Sequence, residues 1–291
     1  MTHDNLSRSI SEYIKAIPSL PTSAGKVLEI CNSTHVNPAD LNHVISLDPV
    51  LVGRLLNLLN SAYYGLGSHI SSLARAIIML GINTVKNLTL STAILGTLPI
   101  NKDRKGLDME GFWQHSLCVG IVARLLAKKQ GTDSKFIEDY FTAGLLHDIG
   151  KIPLNAALSA DYLLVVTDAE QEQKPLVNQE SKILGVNHCE AGAMIAEAWK
   201  LEGPVADAIG YHHSLDRYSG SNAGILYNVA IADYFSSSNE IGFAGNRYPE
   251  KPESKIWDVS GVRESDFEKL KEMVNSEIEK AKIFLKVADH I

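Results

Sequence analysis

The run Gly144-Leu145-Leu146-His147-Asp148-Ile149-Gly150-Lys151 places an imidazole and a carboxylate side by side at the end of an apolar stretch. A divalent transition metal takes imidazole nitrogen and carboxylate oxygen at about 2.0–2.2 Å, and the two oxygens of a carboxylate can bridge two ions. Asp148 is the natural bridge. Further donors are spread along the chain: His115 before the pair, then His188, His212 with His213, and Asp233. Helical bundles gather ligands from several facing helices, so wide separation in sequence suits such a site.

Each of these residues also has an ordinary explanation. A histidine at a helix end often caps carbonyls, and a histidine on an apolar helix face is usually a satisfied core residue. His115 recurs with Val119, Val122 and Leu126 at three- and four-residue steps, which predicts a buried ring that needs a partner;. Asp233 follows Val229, Ala230 and Ile231, where an unpaired carboxylate would be costly to bury and metal coordination would offset the cost;. Neighbouring helical residues point about 100° apart, so His212 and His213 need not reach the same ion; one could serve a second ion or a phosphate. Lys151 could hold a substrate phosphate, the alternative being a solvated loop lysine. His3, His35, His43, His69 and His290 have no such context and are expected at the surface.

The ordered set resembles the HD superfamily of metal-dependent phosphohydrolases. Further signatures are similar to its HDOD subfamily: residues 18–34, opening Pro18-Ser-Leu-Pro-Thr22; Ile45-Ser-Leu-Asp-Pro-Val50; Leu55 to Gly65, containing Asn60-Ser61-Ala62-Tyr63-Tyr64-Gly65; Ala76 to Asn87; Phe112-Trp113-Gln114-His115-Ser116; Gly185-Val186-Asn187-His188; and Tyr211-His212-His213. The resemblance covers about residues 15–237;. It implies a bacterial signalling or regulatory protein. Many relatives of this kind have lost metal ligands, whereas this chain keeps them.

By resemblance, His115, His147, Asp148 and Asp233 bind one ion, and Asp148 bridges to a second held by His188, His212 and His213. Two divalent ions are implied, iron or manganese first, with zinc and nickel compatible by ligand type. An enzyme of this kind hydrolyses a small phosphoester or nucleotide with hydroxide formed from water that the ions acidify, while the cations and Lys151 hold the charge. The ligands also resemble those of the HD-GYP branch of cyclic-dinucleotide phosphodiesterases. Two departures speak against cyclic di-GMP: after His213 the chain reads Ser214-Leu-Asp-Arg-Tyr-Ser-Gly220 with no Gly-Tyr-Pro, and Gly111 stands where that branch often has glutamate. Two other readings share the ligand set. One is a non-enzymatic signalling module with a structural metal; the other is a di-iron oxygenase.

The elements that must position these residues read as helices throughout, predicting an all-α protein. Asn37-Pro38 and Asp48-Pro49 set a capping side chain before a proline at the first helical position;. Leu51, Leu55, Leu58 and Leu59 form one apolar stripe, and Ile77, Ile78 and Leu80 another that ends at Gly81;. Ile100 to Asp108 is charged and is expected to link an N-terminal helical subdomain, about 1–100, to an HD-type bundle, about 105–291. In the second part, helices are expected over Met109–Lys129, Lys135–His147, Asp161–Gln173, Gln179–Leu184, Cys189–Trp199, Pro204–Tyr211 and Ala223–Phe235. A loop over Ser236–Asp258 and a last helix over about Glu264–Val287 would follow. Gly150 is expected to turn the chain in the left-handed conformation.

Composition narrows the function classes. With 45% hydrophobic and 21% charged residues among 291, the chain is an ordinary globular protein rather than a disordered one;. It lacks the roughly 18 uninterrupted apolar residues of a membrane span and opens without a signal-peptide core, so a cytoplasmic location is expected;. Residues 1–105 carry nine Lys/Arg against six Asp/Glu, and residues 106–291 carry eighteen against twenty-eight. A polyanion is repelled by such a C-terminal part, which disfavours bulk nucleic-acid binding. Cys31, Cys118 and Cys189 are odd in number and form no Cys-x-x-Cys, so buried thiols are expected rather than disulfides or a thiolate zinc site;. The N-terminal part holds no catalytic cluster. Asn60, Tyr63 and Tyr64 are read there as packing or interface residues, and a signalling partner is the expected occupant of any docking face.

Overall fold

The computed structural model describes residues 3–33, 36–98 and 106–287, with side chains from residue 8 onward. Among the described residues there are α-helices and short 3-10 turns and no strand. The helices of the N-terminal part are α1 (His3–Ala16), α2 (Thr22–Cys31), α3 (Pro38–Ser46), α4 (Pro49–Leu59), α5 (Leu73–Leu80) and α6 (Ile82–Thr97). Then come α7 (Met109–Lys129), α8 (Ile137–Leu146), α9 (Lys151–Ala157), α10 (Ser159–Glu172), α11 (Leu176–Leu184), α12 (His188–Ala198), α13 (Pro204–Tyr211) and α14 (Ala223–Ser238). Three more close the chain: α15 (Ser254–Ser260), α16 (Phe267–Ala281) and α17 (Ile283–Val287). No described helix is long and apolar enough to cross a membrane.

The caps fall where the sequence sets them. The Asn37 side chain accepts from Ala39 N and the Asp48 side chain from Leu51 N, opening α3 and α4;. Leu51, Leu55, Leu58 and Leu59 are all buried, as the stripe requires. The α5 stripe is narrower than its sequence suggests: Ile77 is buried, but Ile78 is 83% exposed, because a short helix turns a single face to the core;. The expected last helix is broken at Lys282 into α16 and α17, and the expected loop of 236–258 is shorter at both ends, since α14 runs on to Ser238 and α15 begins at Ser254. The expected link falls mostly on 99–105, outside the described residues.

One apolar cluster runs through the described chain, from Ile10 on α1 to Val287 on α17. Tyr63 is a joint in it, its ring 5.5 Å from Phe141 of α8 and 5.4 Å from Phe284 of α17. The Arg124 guanidinium of α7 lies over the same ring at 4.4 Å;. Polar ties add to this contact: Asn83 and Asn87 of α6 each donate to Asp139 of α8 at 2.8 Å. Tyr63 and helix α6 thus hold α8, the helix that leads into His147 and Asp148.

Candidate metal centre

Close approach of backbones builds the site. Helices α7 and α8 cross at Gly120 and Gly144, where a Cβ on Gly144 would stand 2.8 Å from Gly120 Cα. His115 and His147 therefore meet, with ring centroids 5.5 Å apart. Gly150 has an ordinary right-handed conformation (φ −66°), which corrects the expected left-handed turn. Glycine is required there for another reason: a Cβ would lie 1.9 Å from the carbonyl oxygen of His188, so the start of α12 rests directly on the turn after Asp148.

The seven expected ligands converge. Asp148 Oδ2 lies 3.6 Å from His115 Nε2 and 3.3 Å from His147 Nε2. Its other oxygen, Oδ1, lies 3.3 Å from His188 Nε2 and 3.6 Å from His212 Nε2. Asp233 Oδ1 is 3.2 Å from His115 Nε2 and 4.0 Å from His147 Nε2. Donors about 2.1 Å from one ion stand about 3.0–3.4 Å apart in octahedral or tetrahedral geometry, close to these spacings. His213 sits at the edge, half-buried, with Nε2 3.9 Å from Asp233 Oδ2.

The outer hydrogen bonds decide which nitrogen of each ring is free. His147 Nδ1 faces the carbonyl of Gly144 at 2.7 Å, His212 Nδ1 the carbonyl of Ala208 at 2.7 Å, and His188 Nδ1 the carboxylate of Glu180 at 2.5 Å. A carbonyl or carboxylate oxygen can only accept, so in each case Nδ1–H donates and the Nε2 lone pair points inward. The Nε2 atoms of His188 and His212 then face each other at 3.2 Å. Two lone pairs so placed need a cation between them, a proton or a metal ion. His115 Nε2, His147 Nε2 and Asp148 Oδ1 are buried without a hydrogen bond among the described residues, and orphaned acceptors of this kind fit a bound cation;.

Electrostatics divide the set. Burial disfavours the charged form of Asp148, yet His147 and Lys151 hold its carboxyl well below the usual range. Burial also opposes ionisation of Asp233, which His115 and His147 nonetheless keep far below that range. Desolvation lowers His147, against the pull of Asp148. His188 is raised to about 9, because Glu180 outweighs burial there. The carboxylates are thus in the anionic state that a transition metal binds, whereas a metal would displace a proton from His188 and from His212, which is raised as well;.

Lys151 is not the solvated lysine of a loop. It opens α9, is 1% exposed, and its Nζ donates to Asp148 Oδ2 at 2.6 Å and to the carbonyl of Ala244 at 3.1 Å. Cys118 and Cys189 are buried thiols as expected, and Cys31 is partly buried. Cys189 Sγ lies 3.7 Å from His212 Nδ1. His43 and His69 are exposed, whereas His35 and His290 and the side chain of His3 lie outside the described residues. Glu180 escaped the sequence reading. Its signal is spacing, for Leu176, Glu180 and Leu184 share one face at four-residue steps and all three are buried;.

Two cavities reach the centre. One of about 160 Å³ is bounded by His212, His213, Asp233, Lys251, Glu253 and Ile256. Another of about 200 Å³ opens at His115, beside Ser237, Gly242, Phe243 and Arg247.

Comparison with known proteins adds the family context. The HDOD domain family matches residues 17–215, most of the chain. A solved HDOD domain protein of unknown function from Geobacter sulfurreducens is 26% identical, with 99% of each chain covered and a TM-score of 0.71. A proposed phosphohydrolase from Shewanella amazonensis SB2B is 24% identical and shares the fold, with 95% of this chain and 98% of that one covered and a TM-score of 0.70. An uncharacterized protein of Treponema pallidum (strain Nichols) is 29% identical over 229 residues, 78% of this chain and 44% of that protein. The chain thus spans under half the length of the curated relative it matches.

Proposed function

This chain belongs to the HDOD family, and we propose that it is a signalling protein that keeps a working dinuclear HD centre and hydrolyses a small phosphoester. The observation that carries the reading is the division of Asp148: one oxygen faces His115 and His147, the other His188 and His212. A carboxylate placed between two sets of imidazoles fits a bridge between two ions. Iron or manganese suits the donors best, and zinc and nickel remain compatible by ligand type.

Bound ions would supply Lewis acidity and bring the pKa of a water to near neutral. The chain's own residues do the rest. His115, His147, Asp148 and Asp233 would hold one ion, and His188 and His212, together with Asp148, would hold a second. Lys151 orients Asp148 and keeps one N–H of its ammonium for a phosphate oxygen, since two are used by Asp148 and Ala244;. His213 and Asp233, the most exposed of the set, face the 160 Å³ cavity, which admits a compact ligand.

The test is hydrolysis of bis(p-nitrophenyl) phosphate by protein loaded with Mn(II), or with Fe(II) without oxygen. Turnover in the wild type that is lost in Asp148→Asn is the expected result. A second reading, a module that signals without turnover, is favoured by the exposure of Leu47, Val50, Ile78 and Met79 in the N-terminal part, where a partner protein would dock;. Metal binding with no turnover of any phosphoester would favour it.

A further inference from the structure

Helix α11 buries an acid that the ligand set leaves out. Glu180 is 0% exposed. Its Oε2 accepts from His188 N at 2.9 Å and from His188 Nδ1 at 2.5 Å, while its Oε1 accepts from the Tyr162 hydroxyl at 2.7 Å. Tyr162 is itself fully buried on α10. One carboxylate therefore ties α10 and α11 to the first residue of α12, which is the expected ligand His188.

An isolated carboxylate is costly to bury, and nothing in the packing of α11 calls for one where Leu176 and Leu184 flank it;. The arrangement has a chemical use. An imidazole whose Nδ1–H is held by a carboxylate has a fixed tautomer and orientation, and its Nε2 is a stronger donor to a metal. His147 and His212 give their Nδ1–H to neutral backbone carbonyls, so the partner of His188 differs in kind. Charge points the same way. The buried carboxylates of Asp148 and Asp233 are partly offset by the ammonium of Lys151, so the ligand set alone balances little of the charge of two divalent ions. Glu180 brings a third buried negative charge, on the side of the second position.

We propose that Glu180, held by Tyr162, is the positioning residue that makes the second metal position bind. It touches no reacting atom and acts through His188. The inference rests on the dinuclear reading above. It requires the two positions to respond differently to Glu180, since His115, His147 and Asp233 make no contact with it and the first ion needs only those residues and Asp148.

Metal-free wild type, Glu180→Gln and Tyr162→Phe are titrated with Mn(II) alone, counting bound ions by equilibrium dialysis and recording EPR spectra. Wild type is expected to bind two ions and give the spectrum of a spin-coupled pair. Glu180→Gln should lose about 10–100-fold in affinity for the second ion while keeping the first, and show the resolved hyperfine pattern of isolated Mn(II). Tyr162→Phe keeps the carboxylate but removes one of its donors, so a smaller loss, about several-fold, is expected at the second ion alone. A general structural defect would weaken both ions together, and that outcome counts against the proposal. Unchanged second-ion affinity with a coupled spectrum in Glu180→Gln overturns it; if that variant does not fold, unchanged second-ion affinity in Tyr162→Phe does so. A wild type that binds fewer than two Mn(II) ions overturns the dinuclear reading itself, and this inference with it.

Discussion

Lys151 Nζ donates to Asp148 Oδ2 at 2.6 Å, on the very oxygen that faces His115 and His147. Both side chains are about 1% exposed, so the ammonium is the standing counter-charge of this carboxylate. The pair also explains how a carboxylate can be buried in the interior.

Replacing Lys151 by methionine keeps the volume and removes the charge, leaving Asp148 uncompensated. In metal-free protein the variant is expected to lose about 3–5 kcal/mol of unfolding free energy. Mn(II) should recover much of it, because cations then take the place of the ammonium. Denaturant unfolding with and without Mn(II) checks this; an equal loss in both conditions would mean that Lys151 does not balance Asp148.

Asp148→Asn should cost more bound metal than Asp233→Asn. The first change weakens both positions at once, whereas Asp233 faces the rings of His115 and His147 on one oxygen and the more distant His213 on the other;. Metal analysis of the two purified variants decides it, and equal loss would make Asp148 a terminal ligand.

Gly150→Ala should disrupt the centre without altering any ligand. The new methyl would overlap the carbonyl oxygen of His188, and the neighbour is backbone, so α12 must shift and carry His188 with it. The expected outcome is a sharp drop in Tm with loss of the second ion. A variant with wild-type metal content would show that α12 tolerates displacement.

Tyr63→Ala tests the joint between the first helices and α7, α8 and α17. Loss of a buried ring that packs on Phe141 and Phe284 beneath Arg124 should cost about 3–5 kcal/mol in unfolding free energy;. At temperatures where the variant stays folded, metal content should be unchanged, since Tyr63 contacts no ligand. Coupled loss of metal would show that the first helices reach the centre more directly.

Much of this was legible in the residues. The ordered histidines and aspartates do converge, helix α7 runs over Met109–Lys129 as its stripe predicts, and the Asn37 and Asp48 caps form. What escaped depends on contacts distant in sequence. Gly150 looks like a helix terminator because nothing local reveals that His188 will lie on it. Lys151 looks like a loop residue until Ala244 supplies a carbonyl from far along the chain. Glu180 hides in a polar helix, although its four-residue step from Leu176 and to Leu184 marks a buried face. Hydrophobic periodicity finds faces, and it does not say which buried polar groups will meet.

The most direct test of the dinuclear centre is the metal content of the protein purified without oxygen or chelator, quantified by mass spectrometry against protein concentration. The geometry of Asp148 between its two sets of histidines predicts close to two transition-metal ions per chain, resistant to brief chelator treatment. Less than about half an ion per chain, unchanged after incubation with Fe(II) or Mn(II), would contradict the centre, given the affinity expected of a preformed site of imidazoles and carboxylates.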